Sequence, residues 1–150
     1  MPRLLVVHHT PTPTLRRLGD AVLAGARDPL IADVEVVELA ALDAGVEDVL
    51  GADGFVLGTP ANFGYISGAL KHFFDTVYDH VRDETARRPF SYWIHGGYDT
   101  TGAERAMESI TTGLGWRLAA DPLVMTGEVG DTHTEAATEL GGTVAAVVEA

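Results

Sequence analysis

Short apolar segments alternate with amphipathic helical patterns along the whole chain, and this alternation is the strongest constraint on its fold. Consecutive parallel strands need a helix to carry the chain back to the starting edge, so strict alternation predicts a parallel sheet covered on both faces. We therefore predict an α/β fold, with a doubly wound five-stranded parallel sheet in the order 2-1-3-4-5. The predicted strands cover residues 4–8, 34–38, 54–57, 90–95 and part of 118–125.

The predicted helices follow from apolar residues that recur on one helical face. Residues with this spacing are Leu15, Leu18, Val22 and Ala26 in the first helix, Leu70, Phe73, Phe74 and Val77 in the third, and Ala103, Met107, Ile110 and Leu114 in the fourth. Helix starts are predicted at Ser67, at Thr101 with Glu104, and at Thr132 with Glu135. A shorter helix is expected within residues 44–50, and 150 residues suit one domain over 1–150.

In a sheet of this order, ligands bind at the carboxyl ends of the first and third strands, where the winding changes direction. The loop after the first strand, residues 8–15, carries Thr10, Thr12 and Thr14 at a helix start, and such a terminus attracts phosphate. Ordinary helix capping explains the same threonines, and no glycine-rich nucleotide fingerprint is present. By itself this loop favours capping.

The segment after the third strand reads GTPANFGYISGALKHFFD, residues 58–75. Its proline and glycines shape a backbone that can lie close to a flat ligand, Asn62 supplies a donor and an acceptor, and Phe63 and Tyr65 supply ring faces. The alternative is that both rings only cover the core. The position of the segment at the switch point favours a planar heteroaromatic ligand.

The segment after the fourth strand reads HGGYDTTG, residues 95–102. Gly96 and Gly97 permit a close backbone approach, and Tyr98 is placed to cover the same ligand from its other side. A plain turn into a capped helix is the alternative interpretation.

These three segments resemble those of the flavodoxin-like FMN flavoproteins, and most closely the NAD(P)H-dependent FMN reductase and NAD(P)H:quinone oxidoreductase branch. The chain is similar to that pattern nearly throughout residues 56–75, and departs from it in the first loop, which lacks glycine. The resemblance implies FMN as cofactor and NAD(P)H as electron donor. It places the phosphate at His9, Thr10, Thr12 and Thr14, and the flavin ring at Pro60, Ala61, Asn62, Phe63, Gly64, His95, Gly96, Gly97 and Tyr98.

Composition removes several other classes of function. The net charge of -12 argues against nucleic-acid and anionic-membrane partners. With no cysteine, the chain has no disulfide or thiol chemistry, so redox activity requires a cofactor. No apolar run is long enough for a membrane span, and a cytoplasmic location is expected. The histidines lack ligand spacing, the serines lack a nucleophile elbow, and no acidic cluster follows the first strand, so we expect no metal site, serine hydrolase or receiver domain.

The leading hypothesis is an FMN oxidoreductase that passes hydride from NAD(P)H to FMN and then to a quinone-like acceptor, without a catalytic side chain. The alternative is a flavodoxin-type carrier of single electrons between redox protein partners, which the acidic charge favours. A third hypothesis is an interaction protein that has lost its flavin. The resemblance also allows a homodimer.

Overall fold

The computed structural model describes all residues, 1–150, as strands that alternate with helices. The strands are β1 (Arg3–His8), β2 (Glu35–Ala40), β3 (Gly54–Asn62), β4 (Tyr65–Ile66), β5 (Pro89–Gly96), β6 (Arg117–Leu118) and β7 (Leu123–Thr126). The helices are α1 (Pro13–Ala26), α2 (Val46–Leu50), α3 (Gly68–Val81), α4 (Thr101–Leu114) and α5 (Asp131–Glu149), and a 3₁₀ turn covers Ala41–Asp43. No helix is long and apolar enough to cross a membrane.

The sheet confirms the predicted doubly wound order, with two differences in strand number. Its hydrogen-bonded order is β2-β1-β3-β5-β6, with β7 also on β5 and the short β4 on β3. The expected fifth strand is broken into β6 and β7. Pro122, which has no amide to donate, lies in the break. Ser91 bridges this break, because its hydroxyl donates to the Ala120 carbonyl at 2.9 Å.

The third strand extends further than its apolar run predicts. Instead of ending at residue 57, β3 continues to Asn62, and Thr59 and Pro60 pair with Ile94 and His95 of β5. The chain then turns back and β4 pairs antiparallel with the end of β3, Asn62 opposite Tyr65. The segment expected to be a ligand loop is therefore a β-hairpin, built on the end of the central strand.

The core consists of two layers, one on each face of the sheet. Alternate residues of the strands point to opposite faces, as the period of a β-strand requires. Leu4 and Val6 belong to the layer under α1 and α5, while Leu5 and Val7 belong to the layer under α2, α3 and α4. The apolar positions predicted for the three helices are buried, apart from the half-buried Ile110, and all of the buried ones except Leu15 belong to these two layers.

The structure confirms one of the three predicted helix starts. Ser67 caps α3, since its hydroxyl accepts the Leu70 amide at 3.2 Å. The other two predictions are wrong. At α4 the cap is Thr100, whose hydroxyl donates to Glu104 at 2.9 Å. At α5 the cap is Gly130, whose amide donates to Nδ1 of His133 at 2.9 Å, so the histidine takes the role expected of Glu135.

Helices α1 and α5 pack closely because glycines face each other across their contact. A side chain added at Gly141 would overlap the Val22 carbonyl of α1, and one added at Gly25 would overlap the Thr138 carbonyl of α5. The neighbouring Gly142 is different, because an added Cβ would lie 3.4 Å from the Gly25 carbonyl oxygen, an ordinary contact. The two adjacent glycines of α5 therefore have different roles.

Alanine substitutions at these two glycines should change stability in opposite directions. Alanine favours a helix over glycine by up to about 1 kcal/mol, and Gly142→Ala should gain a stabilisation of that order. Gly141→Ala should instead lower the free energy of unfolding by about 1–3 kcal/mol, because the methyl group forces the helices apart. Urea denaturation of both variants measures this, and equal stabilisation of both would contradict the described contact.

Candidate functional site

The three segments singled out in the sequence lie together at the carboxyl edge of the sheet. The first is tied to the central strand, because the His9 amide donates to the Gly58 carbonyl at 3.0 Å. The third is tied to the chain after β7, because the Gly127 amide donates to the Gly96 carbonyl at 3.0 Å. Nε2 of His95 also donates to the Gly127 carbonyl, at 2.6 Å. These bonds align the ends of β1, β3 and β5.

The β3–β4 hairpin turns through Phe63 and Gly64, which both have positive φ, 53° and 75°. A two-residue hairpin turn of this backbone type matches the twist of its strands, but it costs energy for a residue with a side chain such as Phe63. The buried Thr59 hydroxyl holds the return of the chain, because it accepts the Ser67 amide at 2.9 Å and donates to the Pro60 carbonyl at 2.8 Å. The turn thus keeps the phenyl ring in solvent, where Phe63 is fully exposed.

Glycines of the third segment let it pack tightly against this hairpin. An added Cβ at Gly102, in the first turn of α4, would overlap the Gly64 carbonyl. At Gly96 an added Cβ would lie 3.1 Å from the Cβ of Ala61 and 2.9 Å from Cγ2 of Thr100. The hairpin therefore rests on the end of β5 and the start of α4, and a cleft remains between their outer parts.

We name this space the ring cleft; it has a volume of about 360 Å³. It brings together most of the residues predicted to hold the flat ligand, and adds Asp99, which the sequence did not single out. Its lining residues are Ala61, Asn62, Phe63, Gly64, Gly97, Tyr98 and Asp99. Tyr98 is 91% exposed, so both aromatic rings are free to move onto a ligand. Pro60 is buried within β3, and neither His95 nor Gly96 is among the residues that line the cleft.

Asp99 gives the ring cleft a carboxylate that stays ionised. Its side chain accepts the Thr101 amide at 3.0 Å, and hydrogen bonds from the backbone and side chain of Thr101 lower the pKa of Asp99. The aspartate-threonine turn into α4 is the local signal for this residue. The ring cleft therefore combines one anionic side chain with two aromatic ones.

A second cleft of about 440 Å³ lies at the carboxyl ends of β1 and β2, and we name it the loop cleft. It contains two of the four residues predicted for the phosphate, His9 and Thr10, while Thr12 and Thr14 lie on the exposed start of α1 outside it. The cleft is lined by His8, His9, Thr10, Pro11, Arg16, Glu38, Leu39, Ala40 and Asp43.

The backbone of the first loop has unused donors. The amides of Thr10, Thr12 and Thr14 make no hydrogen bond within the protein. Pro11 and Pro13, which lie between them, have no amide hydrogen. The Thr12 hydroxyl accepts the Leu15 amide at 3.2 Å and so caps α1. Capping is therefore observed at Thr12, and three alternate amides remain without a partner in the protein. Binding of a phosphate by these amides stays a prediction.

His8, at the junction of β1 and the first loop, is a polar residue of this site for which the sequence predicted no binding role. It is 8% exposed, and its Nε2 lies 2.7 Å from a carboxylate oxygen of Glu38 on β2. Its Nδ1 lies 3.1 Å from the Thr10 hydroxyl. The contact with Glu38 is not visible locally, because it depends on the pairing of His8 with Ala40 between β1 and β2. The adjacent His9 differs: burial, and then the nearby His8, lower its pKa.

Positive charge near the clefts is sparse. Arg16 lines the loop cleft. Arg17 is occupied elsewhere, 3.1 Å from Asp131, and Arg105 lies beside Glu108 on the outer side of α4. No group of three or more histidine, aspartate or glutamate side chains could hold a metal ion.

Comparisons with known proteins show the family of the chain. Residues 14–131 match the family described as NADPH-dependent FMN reductase. A flavodoxin of Aquifex aeolicus (strain VF5) is 33% identical over 114 residues, which span 76% of this chain and 60% of that relative.

Solved structures show the same fold at low sequence identity. An archaeal flavodoxin superimposes with a TM-score of 0.83 at 15% identity, covering 99% of both chains. A WrbA-like flavodoxin from Agrobacterium tumefaciens has a TM-score of 0.79 at 20% identity, over 99% of this chain and 98% of that one. At these identities the likeness concerns the fold, which is flavodoxin-like.

Proposed function

This chain belongs to the NADPH-dependent FMN reductase family, and we propose that it binds FMN, accepts hydride from NADPH or NADH, and passes the electrons to a quinone-like acceptor. One observation carries the proposal. An open cleft with two exposed aromatic rings lies at the ends of β3 and β5. A loop with three free amides follows the adjacent strand β1. These two features correspond to the two ends of a flavin mononucleotide.

The first loop would hold the phosphate of FMN. The free amides of Thr10, Thr12 and Thr14 are donors, the start of α1 adds its positive dipole end, and Arg16 adds a full charge nearby. Hydroxyls of the same threonines can add charge-assisted hydrogen bonds. Although this loop lacks the glycine of the family pattern, its three free amides are present, so its hydrogen-bond donors fit a phosphate.

The ring cleft would hold the isoalloxazine. Phe63 and Tyr98 offer stacking faces, and Asn62 offers both a donor and an acceptor to the edge of the ring. Asp99 keeps one wall anionic. We propose that Pro60, His95 and Gly96 act indirectly, since they fix the positions of the hairpin and of the loop after β5.

The side chains would bind and orient, and the cofactor would supply the redox chemistry. When bound, FMN would supply the capacity to take hydride from a nicotinamide and to return the electrons to an acceptor. The match to the reductase family is the observation that favours a reductase over a protein-to-protein carrier. The carrier stays the second candidate, because the net charge of -12 suits electrostatic docking of a basic redox partner.

Flavin affinity should depend on both ends of the site. Phe63→Ala should weaken binding of both FMN and riboflavin by about threefold to tenfold, because one stacking face is lost. Thr14→Ala should weaken FMN but leave riboflavin, which has no phosphate, unchanged. Leu30→Ala, at an exposed leucine outside both clefts, is the matched control. Quenching of flavin fluorescence measures all four proteins, and unchanged affinities in Phe63→Ala and Thr14→Ala would contradict these placements.

The choice between reductase and carrier is tested by adding NADPH, and then NADH, to the FMN-loaded protein without oxygen. A reductase should lose the visible flavin absorbance within a turnover time and regain it when a quinone is added. A carrier should keep its oxidised spectrum with either nucleotide, and that result would overturn the proposed enzymatic activity while leaving FMN binding intact.

A further inference from the structure

A buried chain of polar side chains leads from the surface of β2 to the first loop. Glu38 contacts Nε2 of His8 at 2.7 Å, and Nδ1 of His8 contacts the Thr10 hydroxyl at 3.1 Å. His8 and Thr10 are each 8% exposed, so water competes little with the contact between them, whereas the Glu38 side chain is 38% exposed. We propose that His8 is a positioning residue that turns the Thr10 hydroxyl toward a bound phosphate, so that binding of the phosphate takes up a proton at His8. This inference rests on the proposed binding of FMN.

When His8 is neutral, the Thr10 hydroxyl faces the wrong way for an anion. A carboxylate can only accept hydrogen bonds, so Glu38 requires the proton of His8 to lie on Nε2. Nδ1 then has a lone pair and accepts the hydroxyl proton of Thr10. In this state the Thr10 oxygen presents only lone pairs to the loop cleft. These lone pairs repel those of a phosphate oxygen.

A proton on His8 reverses the second hydrogen bond. Nδ1 then carries a hydrogen and donates to the Thr10 oxygen, so the hydroxyl hydrogen is free to donate to the phosphate. The imidazolium charge also attracts the phosphate dianion, and the ionised Glu38 balances that charge at the buried site. Phosphate binding and protonation of His8 therefore favour each other.

Other charged and titratable side chains lie near His8. Besides His8, the loop cleft contains the carboxylates of Glu38 and Asp43 and the basic side chains of His9 and Arg16. Burial, and then the nearby His8, lower the pKa of His9, so a second positive charge beside His8 is disfavoured. From β5 only the uncharged Trp93 ring approaches, with its centroid 6.5 Å from that of His8.

The proposal predicts a proton uptake that requires the phosphate of the ligand. The test is calorimetry of FMN and of riboflavin binding near pH 6.5 and pH 8, in phosphate-free buffers of different ionisation enthalpy. Wild-type protein should take up more protons with FMN near pH 6.5 than His8→Gln does, and neither should take up protons with riboflavin. The phosphate group of FMN titrates near pH 6 by itself, and this contribution is common to all variants.

Affinities of the same variants provide a second readout. His8→Gln should weaken FMN by about tenfold near pH 6.5, the size expected for one hydrogen bond to a charged group, and riboflavin by less than about twofold. Thr10→Val should also weaken FMN and reduce the proton uptake, but by no more than His8→Gln does, because the His8 charge still attracts the phosphate. The double variant should be no worse than His8→Gln, because the Thr10 hydroxyl acts through its contact with His8. His80→Gln, at an exposed histidine of α3, is the matched control.

The possible results separate this inference from the proposed function. Equal proton uptake in wild type, His8→Gln and Thr10→Val would overturn the role of His8 while FMN binding stands. Equal loss of FMN and riboflavin affinity would also overturn it, since that pattern indicates a merely structural residue. A wild-type protein that binds neither flavin would overturn the proposed function, and the inference with it.

Discussion

The packing of β3 between β1 and β5 is the constraint on which the site depends. Gly58 lies at the centre of this arrangement, opposite His8 on one side and Trp93 on the other. A side chain at Gly58 would overlap the Trp93 indole, so the glycine lets the largest fully buried side chain lie against the central strand. The same register brings the first loop, the hairpin and the loop after β5 to one edge. Every candidate ligand contact is a consequence of that alignment.

Local patterns in the sequence predicted the parts of the fold that depend on local physics. The strands are apolar and the helices amphipathic, so their existence, order and buried faces followed from periodicity, and Ser67 followed from its capping chemistry. The hairpin did not, because a turn through Phe63 at positive φ is unfavourable locally and is held by Thr59 and by contact with Gly102. The segment between β6 and β7 is likewise held by Ser91, which is distant in sequence.

The candidate site was predictable to a similar extent. The residues of the ring cleft are close in sequence within each of two segments, so a position after a strand was enough to identify Phe63 and Tyr98. The roles of Thr10 and Thr12 needed the structure, because one faces the buried His8 and the other caps α1. His8 itself contacts Glu38 only through the pairing of β1 with β2. Such long-range pairs leave no signal in a single sequence.

The central claim is that one FMN molecule spans both parts of this edge, and a crystal structure of the protein with FMN tests it most directly. The account predicts phosphate density within hydrogen-bond distance of the amides of Thr10, Thr12 and Thr14, and the isoalloxazine in the ring cleft against Phe63 and Tyr98. Flavin density at any other surface, or a phosphate away from the start of α1, would contradict it.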